Sequence, residues 1–399
     1  MSWTIESTVE KAIEDGVLPG AVLFAKDKSG KLNYSKALGQ SSLDPSSPAP
    51  MELDTVFALA SMTKLLTAIA ALQLVDRGLI TLDADLSPHL PELAAKLILT
   101  GFTPTGDPVT VPRTRPITLR HLLTHSSGCG YSFLSPTLAK YIGTPPPVAP
   151  SNSVPDRFDF PLLFEPGTSW EYGCSIDWAG HLVTVLTSTP LDAYITKHIL
   201  APLSIPAHSI TFYPESHPSA CLPRLALMTA RDPSTNRVSH SPLPPPASSP
   251  DRCPLGGEGA YSSLQSYIVV LDSLLRDDGV LLSPTVSKTL FTPQLEPGAK
   301  KALLENVKNP FWIVGWVPDT GEYDWSTGGL LVDGGSHAWR KEGFLFWAGV
   351  FNLNWFIDRT AGVCGIFGTQ ISNPADPLVR PLMKAFEEEV YAKLQGNGN

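Results

Sequence analysis

Cysteine is scarce in this 399-residue chain. Cys129, Cys174, Cys221, Cys253 and Cys364 are odd in number, scattered, and never spaced Cys-x-x-Cys. That argues against a disulfide framework and for free thiols in a reducing compartment. Clusters of Lys and Arg are missing and the net charge is -9, which speaks against nucleic acid and anionic membranes as partners. No apolar run approaches the length of a membrane span, and the first residues carry acid without an apolar signal core. The expectation is a soluble cytoplasmic protein. Several motifs are absent as well. The glycine cluster Gly256-Gly257-Glu258-Gly259 fits neither Gly-x-Gly-x-x-Gly nor the Walker spacing, so it reads as a tight turn. His121 and His125 stand four apart on one predicted helix, but the glutamate of His-Glu-x-x-His and a third ligand are missing; helix-end histidines are favoured over zinc. The nearest match to a nucleophile elbow, around Ser336, lacks its final glycine, and no histidine follows His337, which disfavours an α/β-hydrolase. There is no internal repeat.

What is present is ample core material, with 43% hydrophobic residues, and 39 prolines, many of them in two tracts. The chain is long enough for two lobes or one large domain with insertions. A helix is predicted over 4–15, strands over 21–25, 32–35 and 56–59, and a helix from Ser61 to Arg77-Gly78. Thr118 is a predicted N-cap, and further helices are expected over 176–186, 191–203 and 264–275. Residues 144–156 read as a proline-rich loop, and 214–254 as a long surface excursion able to reach over a site. The strands 311–317, 330–332, 344–351 and 362–369 are expected to be antiparallel, with a closing helix over 375–394. The predicted fold class is α+β (mixed α/β), an antiparallel sheet flanked by terminal helices with a largely helical insertion. Residues 1–60 and 255–399 would form the sheet-containing part, and 61–254 the mainly helical part with long Pro/Ser-rich loops.

Ser61-Met62-Thr63-Lys64 opens a strongly apolar helix, with Ser61 and Lys64 on one face. A serine at a helix start lies near unpaired N–H groups that favour a developing oxyanion, and a neutral lysine one turn on can accept its proton. Alone, such a spacing arises by chance about once or twice in a chain of this size, and a capping serine beside a solvated lysine explains it. No other serine here has a lysine three residues later.

Further stretches line up with it: Tyr172-Gly173-Cys174 after Pro166-Gly167, Phe346-Trp347-Ala348-Gly349-Val350 on a predicted strand, His125-Ser126-Ser127-Gly128, and Gly257-Glu258-Gly259-Ala260-Tyr261. In this order they resemble the serine β-lactamase/penicillin-binding-protein superfamily from about Val17 to Gln370. Within it the chain is most similar to class C β-lactamases, family VIII carboxylesterases, and fungal polyketide transesterases of the lovastatin-acyltransferase kind, the last above all. The resemblance implies a β-lactamase-like fold in which Ser61 is an acylated nucleophile and Lys64 and Tyr172 share the proton work. It places the oxyanion hole at the backbone N–H groups of Ser61 and Val350, and substrate contacts at Trp347, Ala348, Gly349, Cys174 and Tyr261. It implies no metal and no cofactor. The partners are a small-molecule acyl donor and acceptor, with an acyl carrier protein domain of a synthase as the candidate macromolecule. Two departures choose among the branches. Cys174 stands where the lactamases carry an amide, and Trp347-Ala348-Gly349 where they carry Lys-Thr-Gly. A cation suited to a substrate carboxylate is thereby missing, so β-lactam hydrolysis is disfavoured. The expected reaction is serine acyl transfer to a hydroxyl or amine of a secondary-metabolite-type acceptor. Ester or thioester hydrolysis by the same mechanism is the alternative, and a non-catalytic binding protein the competing reading.

Overall fold

A computed structural model of the chain describes residues 3–143, 153–242, 253–309 and 313–396. Its centre is an eight-stranded antiparallel sheet. The strands are β1 (Gly20–Asp27), β2 (Asn33–Ser42), β3 (Ala49–Pro50), β4 (Tyr323–Trp325), β5 (Leu330–Val332), β6 (Leu345–Gly349), β7 (Leu353–Asp358) and β8 (Val363–Gly368), in the order β4-β5-β6-β7-β8-β1-β2-β3. The two ends of the sequence meet in the middle, where Val22 pairs with Gly368 and Asp27 with Val363. Every residue of β7 and β8 is buried, so both faces of the sheet are covered.

One face carries α1 (Thr4–Glu14) and α6 (Arg380–Gly396). Ile5, Val9 and Ala12 recur at helical spacing and turn inward. Phe386 of α6 meets Tyr34, Phe356 and Phe367, and Trp3 stacks on Tyr34 at 3.8 Å. A Cβ at Gly365 would lie 2.5 Å from the Phe356 ring, so glycine there makes room for it. The carboxylate of Glu389 accepts the N–H groups of Thr4 and Ile5, capping α1 from α6.

The other face packs against α5 (Leu264–Arg276), whose Leu264 fits over the bare backbone of Gly368. Beneath α5 runs α2 (Thr63–Asp76), buried on all sides from Thr63 to Leu74. A helix apolar all round belongs in an interior. Its start is tied to α5 by the Tyr267 hydroxyl, which donates to Met62 O at 2.8 Å. A small three-stranded sheet delivers the chain into it: Val56–Ala58 pairs with Tyr261–Ser263, which pairs with Ile210–Thr211. Among the described residues no helix is long and apolar enough to cross a membrane.

Several expectations are corrected. The helix expected over 191–203 is Leu191–Ile195 followed by a π-turn, Thr196–Leu200. Residues 313–317 form no strand, and 311–312 lie outside the described residues. The last helix begins at Arg380, because Ala375 has φ +47° and Asp376 accepts the N–H groups of Leu378 and Val379 in a turn before it. In the 214–254 excursion, Pro214–Ser216, Pro218–Cys221 and Leu222–Arg224 are short helical turns, and Thr229–Arg231 pairs with Val238–His240 in a hairpin. It is held by Val238 N–H to Gly16 O and by Arg231 to Asp376 and Val17 O; residues 243–252, including the triple proline, lie outside the described residues.

Candidate active site

Three segments converge on Ser61. The first is its own turn. Leu59 N–H is bound to Ala260 O, Ala60 takes a left-handed φ of +46°, and Ala60–Met62 forms a 3-10 turn that runs straight into α2. A left-handed alanine is strained by about 1–2 kcal/mol, and such strain gathers where a side chain must be aimed. Ser61 keeps partial exposure while both its neighbours are buried. One turn on, Lys64 is 3% exposed and its Nζ lies 3.2 Å from Ser61 Oγ.

The second segment is the chain before α4 (Ser175–Thr187). Tyr172 packs its ring beneath Lys64, with Nζ 4.6 Å from the ring centroid. His125 supports that ring from behind at 4.6 Å between centroids and accepts Gly173 N–H on Nδ1 at 3.3 Å. Its pKa is well below the ordinary imidazole value, through complete burial first and the Lys64 charge second, so it is a neutral buttress. His121 and His125 do not share a helix face. α3 (Leu119–Leu123) stops before His125, which has φ +56°, while His121 closes a capping box with Thr118. Among the described residues no group of His, Cys, Asp and Glu is arranged to hold a metal ion.

The third segment is β6. A Cβ at Gly349 would lie 2.3 Å from Leu59 O, so only glycine lets this strand touch the Ser61 turn. Val350 follows at the head of a turn closed by Asn352 N–H to Gly349 O. The indole N–H of Trp347 donates to the Tyr172 hydroxyl at 3.0 Å. Trp347 therefore holds Tyr172, a task not anticipated from the sequence, and is 6% exposed, as is Ala348. Two expected substrate contacts are turned inward. Cys174 is 1% exposed with Sγ toward Gly130 O, and burial raises its thiol well above the ordinary value, which suits packing and not nucleophilic attack. Tyr261, 3% exposed, is fixed in the small sheet.

The sequence reading missed three groups around Lys64. Gly257 O accepts from Nζ at 2.7 Å, Tyr131 Oη lies 3.4 Å from it, and Tyr131 donates to the buried carboxylate of Asp177 at 3.0 Å. Burial first, then the Glu258 charge, pushes Asp177 up to about 6 against the pull of Lys64. Asp177 had a signal: it is the one acid in an otherwise apolar helix start, and a buried carboxylate needs partners. Tyr131 and the Gly257 carbonyl had none.

The "Beta-lactamase" family model matches residues 5–386. The chain is 38% identical over 397 residues to a lovastatin esterase of Penicillium rubens, covering 98% of each. It is 36% identical over 399 residues to monacolin J acid methylbutanoyltransferase of Aspergillus terreus, covering 98% of this chain and 96% of that one. Unliganded simvastatin synthase (LovD) from Aspergillus terreus superposes with a TM-score of 0.88 at 35% identity, covering 98% of both chains.

Proposed function

We propose a function on the premise that this chain belongs to the beta-lactamase family: it is a serine acyltransferase in which Ser61, Lys64 and Tyr172 carry the chemistry. The observation that carries this assignment is Lys64 Nζ at 3.2 Å from Ser61 Oγ and over the Tyr172 ring. Lys64, with Tyr172 beside it, takes the hydroxyl proton as Oγ attacks a thioester or ester carbonyl. The backbone N–H groups of Ser61 and Val350 are our assignment for the oxyanion, at the place where Gly349 abuts Leu59. The carbon–sulfur or carbon–oxygen bond then breaks, the leaving group takes the proton, and an acyl-Ser61 ester remains. An acceptor hydroxyl or amine attacks that ester, gives up its own proton to the same pair, and regenerates Ser61.

Trp347, Ala348 and Gly349 are proposed to border the acyl group, and Cys174 and Tyr261 to shape the wall behind it. A short branched acyl group and a secondary-metabolite alcohol are the proposed substrates, because one relative is named for methylbutanoyl transfer to monacolin J acid. An acyl carrier protein domain is the proposed carrier of the donor. Five free cysteines support a cytoplasmic setting. The eight-stranded sheet draws all its strands from 1–60 and 255–399, which supports a sheet part and a mainly helical part, 61–254. Hydrolysis is the second reading, favoured by the 38% identity to an esterase.

The test is a butyryl thioester offered with and without a polycyclic alcohol, followed by intact mass. Wild type should gain one acyl group, lose it faster when the alcohol is present, and yield the ester; Ser61→Ala should do neither. Equal turnover by wild type and Ser61→Ala would end the assignment, and loss of the acyl group at one rate regardless of alcohol would make the protein an esterase.

A further inference from the structure

The surroundings of Lys64 fix more than its place. Its Nζ meets Gly257 O at 2.7 Å, Ser61 Oγ at 3.2 Å and Tyr131 Oη at 3.4 Å. In the neutral form that the acyl-transfer reading requires of a proton acceptor, the Lys64 amine has two N–H bonds and one lone pair, and a carbonyl can only accept, so Gly257 takes one N–H. Two hydroxyls remain for one N–H and one lone pair. If the second N–H goes to Tyr131, the lone pair faces Ser61 and can receive its proton. If it goes to Ser61, the lone pair faces Tyr131 and the nucleophile stays idle.

Asp177, fully buried in the first turn of α4, makes that choice. Its Oδ1 accepts Gly257 N–H at 2.9 Å and its Oδ2 accepts the Tyr131 hydroxyl at 3.0 Å. An ionised carboxylate only accepts, so the phenol proton must point at Asp177 and the phenol oxygen must accept from Lys64. We propose that Asp177, acting through Tyr131, is a positioning residue that aims the Lys64 lone pair at the Ser61 hydroxyl. This deepens the acyl-transfer reading above and rests on it.

The arrangement reverses on protonation. With Oδ1 held by Gly257 N–H, an added proton sits on Oδ2 and donates to Tyr131 Oη. The phenol proton then turns to Lys64 and covers the lone pair. The charged and titratable groups around Asp177 are Lys64 from α2, Tyr131 from the loop after α3, Glu258 from the glycine turn, and Cys174 and Cys253 from the flanking segments. Their balance leaves Asp177 at about 6; Glu171, next to Tyr172 in sequence, is pushed up to about 7 by burial alone.

The test is single-turnover acylation of the full chain by a nitrophenyl ester, from about pH 5 to pH 8, in wild type, Asp177→Asn, Tyr131→Phe and Ser61→Ala. Wild type should lose rate on the acid side with a midpoint near 6. In Asp177→Asn the amide oxygen still accepts from Gly257 while the amide N–H donates to Tyr131, locking the idle arrangement. Its acylation should fall by about 10²-fold with that midpoint gone. Tyr131→Phe, whose fold depends less on a buried charge, should fall at least about tenfold. A wild-type rate in either variant, an unchanged midpoint in Asp177→Asn, or a wild-type profile with no limb below neutrality overturns the proposal. Ser61→Ala that still acylates refutes the parent assignment instead; inert Ser61→Ala beside a fully active Asp177→Asn refutes only this inference.

Discussion

Among the described residues, two of the buried sets of charged groups are built in opposite ways. Between α6 and the β5–β6 connection, Arg340 meets Glu387 through Nε at 2.5 Å and Nη2 at 2.8 Å, with Nη2 also on Trp316 O. The guanidinium rests on the rings of Phe344 and Phe346. That pair is direct, bidentate and buried, and the Trp339 indole N–H donates to the same carboxylate. At the active site the buried lysine and the buried carboxylate are kept apart. Lys64 touches only neutral oxygens, and Asp177 is reached through the Tyr131 phenol. A direct pair fixes two elements against each other, whereas a pair divided by a hydroxyl keeps a proton position to change.

The contrast can be broken at either end. Glu387→Ala strands a buried guanidinium and should cost about 3–5 kcal/mol of stability. Denaturant unfolding reads that loss, while acylation per folded molecule should stay within about twofold, because the pair is remote from Ser61. Tyr172→Phe should do the reverse. Acylation should drop on the order of 10²–10⁴-fold, with only about 0.5–1.5 kcal/mol of stability lost from the bond with Trp347. A Tyr172→Phe enzyme that acylates normally would make this tyrosine a packing residue.

Smaller effects sharpen the picture. Glu171 lies beside Tyr172 and burial raises it to about 7, so the folded chain holds its proton longer than the unfolded chain does. Its contribution therefore weakens as pH rises from the ordinary carboxylate range to about 7 and is level above. Glu171→Gln should match wild type in acid and melt higher than wild type above neutrality. The smallest change is Ala60→Gly. Relief of the left-handed alanine, net of what the looser unfolded chain takes back, should raise stability by about 0.5–1 kcal/mol. No rise in melting temperature would show that the turn is unstrained.

The sequence made the proposed nucleophile and its proposed partners legible because their signals are local or ordered along the chain. Ser61 and Lys64 are one turn apart, and Tyr172 and Trp347-Ala348-Gly349 stand in the family's order. The rest depended on long-range packing. β7 went unread because both its faces are covered, leaving no alternation to detect. β4 is three residues long. The helix reading that joined His121 to His125 failed because a five-residue helix followed by a left-handed residue leaves no periodic trace. Tyr131 and the Gly257 carbonyl entered the site through close approach of distant segments, which spacing cannot encode.

The central pairing of β1 with β8 sets a timetable for synthesis. Thr369 donates to Gly20 O across 349 residues, so the ribosome must deliver nearly the whole chain before the sheet's middle can close. Until then β1 has one apolar, unpaired margin open to other strands, a template for association between nascent chains. The same delay withholds β6 from the Ser61 turn. Reactivity and final assembly thus arrive together, and a half-made polypeptide carries the serine without the cleft.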